Sequence, residues 1–478
     1  MGAPFSHVSL LSLLLLLTLS LVAAGEDSFS LPLIFRHPVS PQLSNPFERI
    51  AGLASASLLR ADLLKKSSTT SAALFPHSYG GYSINAYFGT PPQEIPLLFD
   101  TGSQLTWIPC TGKYLCQNCS SPENPVGKIP TFFPKQSSTS KLIGCKNTKC
   151  GWIHSPEFLT SCRNCVVPSN SSSDNICPQI CPPYLIIYGS GSTTGLLLSE
   201  TLRFFTRTVA ADDFVVGCSV FSDKQPAGGV AGFGRGVSSI PSQLRLKSFS
   251  YCLIPRKLDD SGESGFLELN GGAALNYGDG GIVFTPLLKT PIATAAASAF
   301  SVYYYVGLRK ITVGGKKVKI PSTALALGRD GNGGTIVDSG TTFTFIEPAI
   351  FEPLAAAFVD QVGLRLNRSD DVERNTGLKP CFDLPDGTTS EMVSMPALAF
   401  HFKGGAKMRL PLENYFAFVG NSRPTICLTV VSGGGVAGIE GSGGPAIILG
   451  SFQQQNYNMI FDLERERLGI QQQSCIAR

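Results

Sequence analysis

Phe99-Asp100-Thr101-Gly102-Ser103, with Trp107 four residues further on, decides how this chain is read, because Val337-Asp338-Ser339-Gly340-Thr341-Thr342 repeats it in the second half. Each aspartate ends an apolar run, Ile95-Pro96-Leu97-Leu98-Phe99 in one case and Thr335-Ile336-Val337 in the other. Each is followed at once by a small hydroxyl residue and a glycine. An apolar strand running into a glycine turn holds one carboxylate at a fixed point. Two such turns, far apart in sequence, can bring two carboxylates face to face. Asp260-Ser261-Gly262 supplies an internal control: it has the same letters but follows the polar Arg256-Lys257-Leu258-Asp259 and reads as a surface turn.

A second echo supports a duplication. Val230-Ala231-Gly232 lies well after Asp100, and Ile448-Leu449-Gly450 well after Asp338. Each half therefore reads as strand, aspartate and turn, followed much later by two apolar residues and a glycine, as in a repeated β-lobe. A chain of 478 residues holds two such lobes and a large core. With 15% charged residues, 50 Gly and 33 Pro it is β-rich and turn-rich. The net charge of +4 comes with no basic block, which speaks against a nucleic-acid partner.

Residues 8–24 form an apolar run ending in Val22-Ala23-Ala24-Gly25, expected to be a signal peptide over 1–24. No other stretch suits a membrane span, so no stable membrane anchor is expected. Residues 25–78 are of mixed polarity, with helical spacing at Leu58, Leu59 and Leu63, and are expected to form a propeptide cut between residues 69 and 82. The N-terminal lobe is expected over 79–295, with a cysteine-rich insertion at 110–181, and the C-terminal lobe over 296–478. A helix near 347–361, with Pro353 in or before its first turn, belongs to the second.

Fourteen cysteines fit an oxidising compartment, and nine of them lie between Cys110 and Cys181. Cys116/Cys119 and Cys162/Cys165 are CxxC pairs that bring zinc into consideration, but export makes disulfides the expectation, and no metal is expected. Nine is odd, so one of these cysteines is expected to pair outside the insertion or stay free. Sequons at Asn118, Asn170 and Asn367 mark expected glycosylation sites.

These residues resemble the pepsin-like aspartic protease family, and within it the plant nepenthesin-like branch. The resemblance rests on Asp-Thr-Gly-Ser at 100–103, Trp107, Tyr188-Gly189-x-Gly191-Ser192 and Asp-Ser-Gly-Thr-Thr at 338–342. The cysteine-rich insertion, Phe249-Ser250-Tyr251-Cys252-Leu253 and Leu449-Gly450-Ser451-Phe452-Gln453-Gln454-Gln455-Asn456 indicate the branch, and Ser190 departs from the Asp common there. The resemblance implies an all-β, bilobal fold with minor helices, two β-barrel-like lobes facing each other across a central cleft. It implies Asp100 and Asp338 as catalytic carboxylates. Thr101 and Ser339 would brace their loops, Gly102 and Gly340 would form the turns, and Ser103 and Thr341 would hydrogen-bond the outer oxygens. Tyr188 would be a flap tyrosine held by Trp107. The activity implied is an acidic endopeptidase without cofactors, a secreted or vacuolar monomer acting on peptide or protein substrates. The alternative is a non-catalytic binding protein on the same fold, like plant xylanase inhibitors. The sequence contains no Gly-x-Ser-x-Gly or His-Glu-x-x-His.

Overall fold

The computed structural model describes residues 29–36, 46–65, 81–119, 129–154, 162, 180–188, 191–204, 210–255, 264–270, 281–289, 300–329, 331–363, 365–389, 392–419, 424–433 and 444–476. The expected signal peptide, the Asp260 turn, Asn170, Cys165, Cys177 and Ser190 lie outside these residues.

Strand β2 (Gly81–Phe88) runs antiparallel to β3 (Gln93–Asp100), which carries the first aspartate at its C-terminal end. The two sequence echoes meet their aspartate strands in the same way. Val230–Gly232 lies parallel to β3 with Gly232 opposite Asp100, and Ile447–Leu449 lies parallel to Thr335–Val337. Asp338 N–H donates to the Leu449 carbonyl at 3.0 Å, and Phe233 N–H to that of Asp100 at 2.7 Å. Both glycines are required by close approach: a Cβ at Gly232 would run into the Gln104 carbonyl, and one at Gly450 would stand 2.5 Å from that of Thr342.

The lobes share one sheet. In spatial order it contains Val283–Leu288, Arg467–Gln472, Tyr457–Asp462, Ser248–Cys252, Ser264–Leu269, a first strand β1 (Phe29–Arg36) and β2, each antiparallel to the next. The crossing from lobe to lobe is the pairing of Ser248–Cys252 with Tyr457–Asp462. It is backed by stacked Phe249 and Phe461, the Cys252–Cys475 disulfide and an Arg235–Glu466 ion pair at 2.6 Å.

The main C-terminal-lobe helix spans Pro348–Val362 and buries Ile350, Phe351, Leu354, Phe358 and Val362 on one face. Pro348, not Pro353, takes its first turn; Pro353 sits inside the helix, where only the Ala349 carbonyl loses an N–H partner.

All twelve cysteines among the described residues are in disulfides: 110–218, 116–119, 145–162, 150–181, 252–475 and 381–427. Cys110 therefore pairs outside the insertion, the first of the two outcomes that the odd count allows, and Cys162 joins Cys145. The insertion is not held by disulfides alone. Ile143, Cys150 and Cys181 are buried in one cluster with Trp107, Tyr184 and Tyr188.

The largest departure from the sequence reading lies in residues 25–78. They supply β1, an inner strand of the shared sheet, and a 20-residue helix α1 (Pro46–Lys65). The buried face of α1 is Ile50, Leu53, Ala54, Ser57, Arg60 and Ala61, and Leu58 is only half-buried. It packs against Phe300, Tyr303, Phe343 and Phe452 of the C-terminal lobe and runs beside the strand Tyr184–Tyr188.

Candidate active site

Asp100 and Asp338 are both fully buried. Their loops are tied by a reciprocal lattice. Thr101 N–H donates to Ser339 Oγ at 3.0 Å, and Ser339 N–H to Thr101 Oγ1 at 2.9 Å. The same hydroxyls reach across to main chain, Thr101 to the Val337 carbonyl at 3.3 Å and Ser339 to that of Phe99 at 3.1 Å. Four buried hydrogen bonds on two tight turns fix the carboxylates relative to one another.

Each aspartate also accepts from its own turn, Asp100 Oδ1 from Gly102 N–H at 2.9 Å and Asp338 Oδ1 from Gly340 N–H at 3.0 Å. The turns interlock so closely that a Cβ on Gly102 would stand 2.5 Å from Asp338 Oδ1, and one on Gly340 would collide with Asp100 Oδ1. Only glycine lets each turn lie against the opposite carboxylate. Thr341 Oγ1 donates to Asp338 Oδ2 at 2.5 Å. On the other side Ser103 lies near enough to Asp100 to lower its carboxyl, but Ser103 Oγ and Asp100 Oδ2, both buried, do not make a hydrogen bond of ordinary geometry. Trp107 Nε1–H donates to the Tyr188 hydroxyl at 2.9 Å.

Below the dyad lies the glutamine run. Gln454 donates to the Leu449 carbonyl at 2.7 Å and accepts from the Tyr251 hydroxyl at 2.5 Å. Gln453 bridges Thr344, Asn414 and Thr429, and Gln455 donates to the Tyr82 hydroxyl at 3.1 Å. All three are buried, and Gln454, which also reaches the Asp338 carbonyl at 3.5 Å, is the one that braces the second aspartate directly.

The residue that sequence reasoning missed is Arg60. Its Nη2 lies 2.6 Å from Asp100 Oδ1 and 3.1 Å from Asp338 Oδ1, and its Nε lies 2.7 Å from Asp338 Oδ2. One nitrogen thus bonds both carboxylates at once. Ser57, one turn earlier, accepts the Phe343 N–H at 2.8 Å and fixes the depth of the helix. A signal was present: at helical spacing from Ile50, Leu53, Ala54 and Ala61, position 60 puts a cation on a face whose only other polar member is the small Ser57.

The two carboxyls diverge. Burial pushes Asp100 up to about 6, against the lowering effect of Arg60 and with help from Asp338. Burial also acts on Asp338, but Arg60, Thr341 and Gly340 outweigh it and hold that carboxyl below its ordinary range. One member thus carries a proton easily while the other resists it. Burial raises Tyr188 well above the usual phenol range, so it stays a neutral hydrogen-bonding group.

Cys150, His154 and Cys181 bring three potential metal ligands together, but both sulfurs are spent in one disulfide. Asn118 and Asn367 are exposed.

Residues 82–269 match the family described as xylanase inhibitor N-terminal, and residues 303–472 the one described as xylanase inhibitor C-terminal. The chain is 30% identical to a probable aspartyl protease of Arabidopsis thaliana, over 82% of each chain. It is 32% identical to aspartic proteinase nepenthesin-2 of Nepenthes gracilis, over 83% of this chain and 78% of that one. Among solved structures it resembles edgp, with a TM-score of 0.60 at 17% identity over 93% of this chain and 95% of the other. It also resembles soybean basic 7S globulin, with a TM-score of 0.58 at 17% identity over 94% and 97%. The fold, the paired Asp-hydroxyl-Gly turns and these relatives together place the chain in the pepsin-like aspartic protease family, in its plant nepenthesin-like branch.

Proposed function

We propose that the protein is an exported aspartic endopeptidase, made as a latent precursor whose own helix α1 fills the cleft. The observation that carries this is the position of Arg60 Nη2, within hydrogen-bond reach of one oxygen of each aspartate. A water in that place would be held by both carboxylates.

With α1 gone, Asp338, which still accepts from Thr341 Oγ1 and Gly340 N–H, is the member suited to stay ionised and to take a proton from that water. Asp100, which accepts only from Gly102 N–H where Asp338 accepts from both Gly340 N–H and Thr341 Oγ1, is the member suited to carry the proton and donate it to the oxygen of the scissile carbonyl. Such pairs sharing one proton are the general behaviour of aspartic proteases. Thr101, Ser339, Gly102, Gly340 and Thr341 hold the pair, and Tyr188 with Trp107 covers it as a flap. With α1 present, a guanidinium that cannot act as a nucleophile replaces the water, and the helix body covers the apolar wall of Phe343 and Phe452.

The test is hydrolysis of a peptide library at acid pH by protein cut after residue 65, with and without a statine-type inhibitor. Inhibitable cleavage by the cut form alone is expected. No cleavage by a folded, helix-free protein would favour the second reading, a binding protein, to which the xylanase-inhibitor naming of the matching families points.

A further inference from the structure

A small sheet of the C-terminal lobe carries charge of one sign on its outer face. Its four strands lie in the order Lys316–Lys317, Leu308–Val313, Leu398–Phe402 and Lys407–Arg409, each antiparallel to the next. Ile311, Phe400 and Met408 stand level with one another and are buried in the main core. Alternation puts the residues between them on the opposite face. There Lys310, His401 and Lys407 stand side by side across three strands, and Lys317, Thr312, Ala399 and Arg409 across all four. Lys310, Lys317, Lys407 and Arg409 are exposed.

Residues 308–320 and 398–410 bring eight Lys and Arg and no Asp or Glu to this sheet and its turns. That exceeds the net charge of +4 of the whole chain, so the remainder is net negative. None of the eight is in an ion pair among the described residues. Like charges directly opposite one another on a sheet repel. The field registers on His401: burial, and then Lys310 and Lys407, push its imidazole below its ordinary value. Lysines on outer strands keep a sheet from pairing with another chain, which accounts for Lys317 and Lys407. It does not account for Lys310 and His401 on the two inner strands. The dyad lattice and the wall under α1 draw no residue from these strands.

A chain of negative charges fits this face better than a single anion. Strands about 4.8 Å apart spread its cations over a width of roughly 15 Å, so a linear polymer meets several at once. No exposed large apolar side chain lies on these strands to enter a lipid surface, and no Phe, Tyr or Trp faces outward to stack on a base. The disulfides suit an oxidising, exported setting, in which the repeating anions are those of acidic polysaccharides. We propose that this face binds a polyuronate, a linear polymer of carboxylate-bearing sugars, and anchors the protein to it away from the cleft. The choice of polymer rests on the reading of the chain as exported.

The test is retention of the purified, uncut protein on immobilised polygalacturonate at about 0.05 M salt and its release by about 0.5 M, where screening acts within a few ångströms. It is read on purified protein, so it stands or falls apart from whether the chain is secreted. The same polymer with its carboxylates methyl-esterified should not retain the protein. The double variants K310E/K407E and K317E/R409E should each bind at least roughly tenfold more weakly, with no loss in melting temperature. K113E/K135E, the same charge change at exposed lysines of the other lobe, should bind as wild type does. Equal retention on the esterified polymer or equal loss in K113E/K135E would overturn the proposal. So would tighter binding of wild type to phosphatidylserine vesicles or to a DNA duplex than to polygalacturonate.

Discussion

Replacing Arg60 with alanine in the uncut protein should switch on a measurable fraction of its latent activity. Arg60 makes three bonds of 2.6–3.1 Å to two fully buried carboxylates, and its own side chain is 6% exposed. Removing one partner of a buried ion pair costs about 3–5 kcal/mol. Here that cost falls on the closed arrangement only, because the open cleft rehydrates both aspartates. Water entering the space left by the side chain offsets part of it, so the lower end applies. A loss of about 3 kcal/mol moves the closed-to-open ratio by roughly a hundredfold. The apolar face of Ile50, Leu53, Ala54 and Ala61 and the Ser57 bond remain. Helix α1 should therefore still dock part of the time, and activity should stay below that of the cut enzyme. Arg60→Lys should fall between, since an ammonium cannot reproduce the fork. The assay is the initial rate of peptide hydrolysis by uncut wild type, both variants and cut enzyme at one acid pH, with mass spectrometry verifying that the uncut chains stay uncut. Equal silence of wild type and Arg60→Ala, or full activity of uncut wild type, would refute the reasoning.

Three further outcomes follow from the same geometry. The raised carboxyl of Asp100 stabilises the closed form below its ordinary value of 3.8 and loses that contribution as pH rises through about 6. The lowered carboxyl of Asp338 loses its contribution only in stronger acid. The uncut protein should therefore melt highest in mild acid and lose up to about 3 kcal/mol between pH 4 and 7 from Asp100; a melting temperature that climbs over that range would contradict this. Gly102→Ala should leave the fold intact, judged by circular dichroism, yet lower kcat of the matured enzyme at least roughly a hundredfold, because the new methyl displaces Asp338; near-normal turnover would show the turns to be less tightly interlocked. Reductant should lower the melting temperature strongly while chelator leaves it unchanged, since a link such as Cys110–Cys218, 108 residues apart, contributes roughly 2–4 kcal/mol; equal sensitivity to chelator would point to metal instead.

What could be read from the letters was what close approach dictates. Gly102 and Gly340, Gly232 and Gly450 sit where backbone or carboxylate leaves no room for a Cβ, and such constraints leave fixed residues at fixed spacing. The apolar runs before Asp100 and Asp338 declared strands, and the parallel partners Val230–Gly232 and Ile447–Leu449 echoed each other for the same reason. The odd cysteine count left a choice between a free thiol and a bond leaving the insertion, and could not name Cys218 as the partner, because pairing depends on which strands lie side by side. Residues 25–78 were the least legible. Leucine spacing at 58, 59 and 63 suggested a helical face, whereas the buried face runs through Ile50, Leu53, Ser57 and Arg60, and the helix contacts the lobe that lies furthest along the chain. Of five Lys and Arg residues in that segment, Arg36, Arg49, Arg60, Lys65 and Lys66, only the tertiary structure selects the one that meets the dyad. Likewise β1 lies in the stretch read as leader, and nothing in its own letters shows that it pairs on both sides inside the shared sheet.

The central claim is that Asp100 and Asp338 act as one unit on one water. Its most direct test is peptide hydrolysis across pH by helix-free wild type, Asp100→Asn, Asp338→Asn and the double variant, each verified as folded. A bell-shaped wild-type profile with its maximum at about pH 3–5 is expected, with nearly complete loss in either single variant and little further loss in the double. Substantial turnover by either single variant would contradict it.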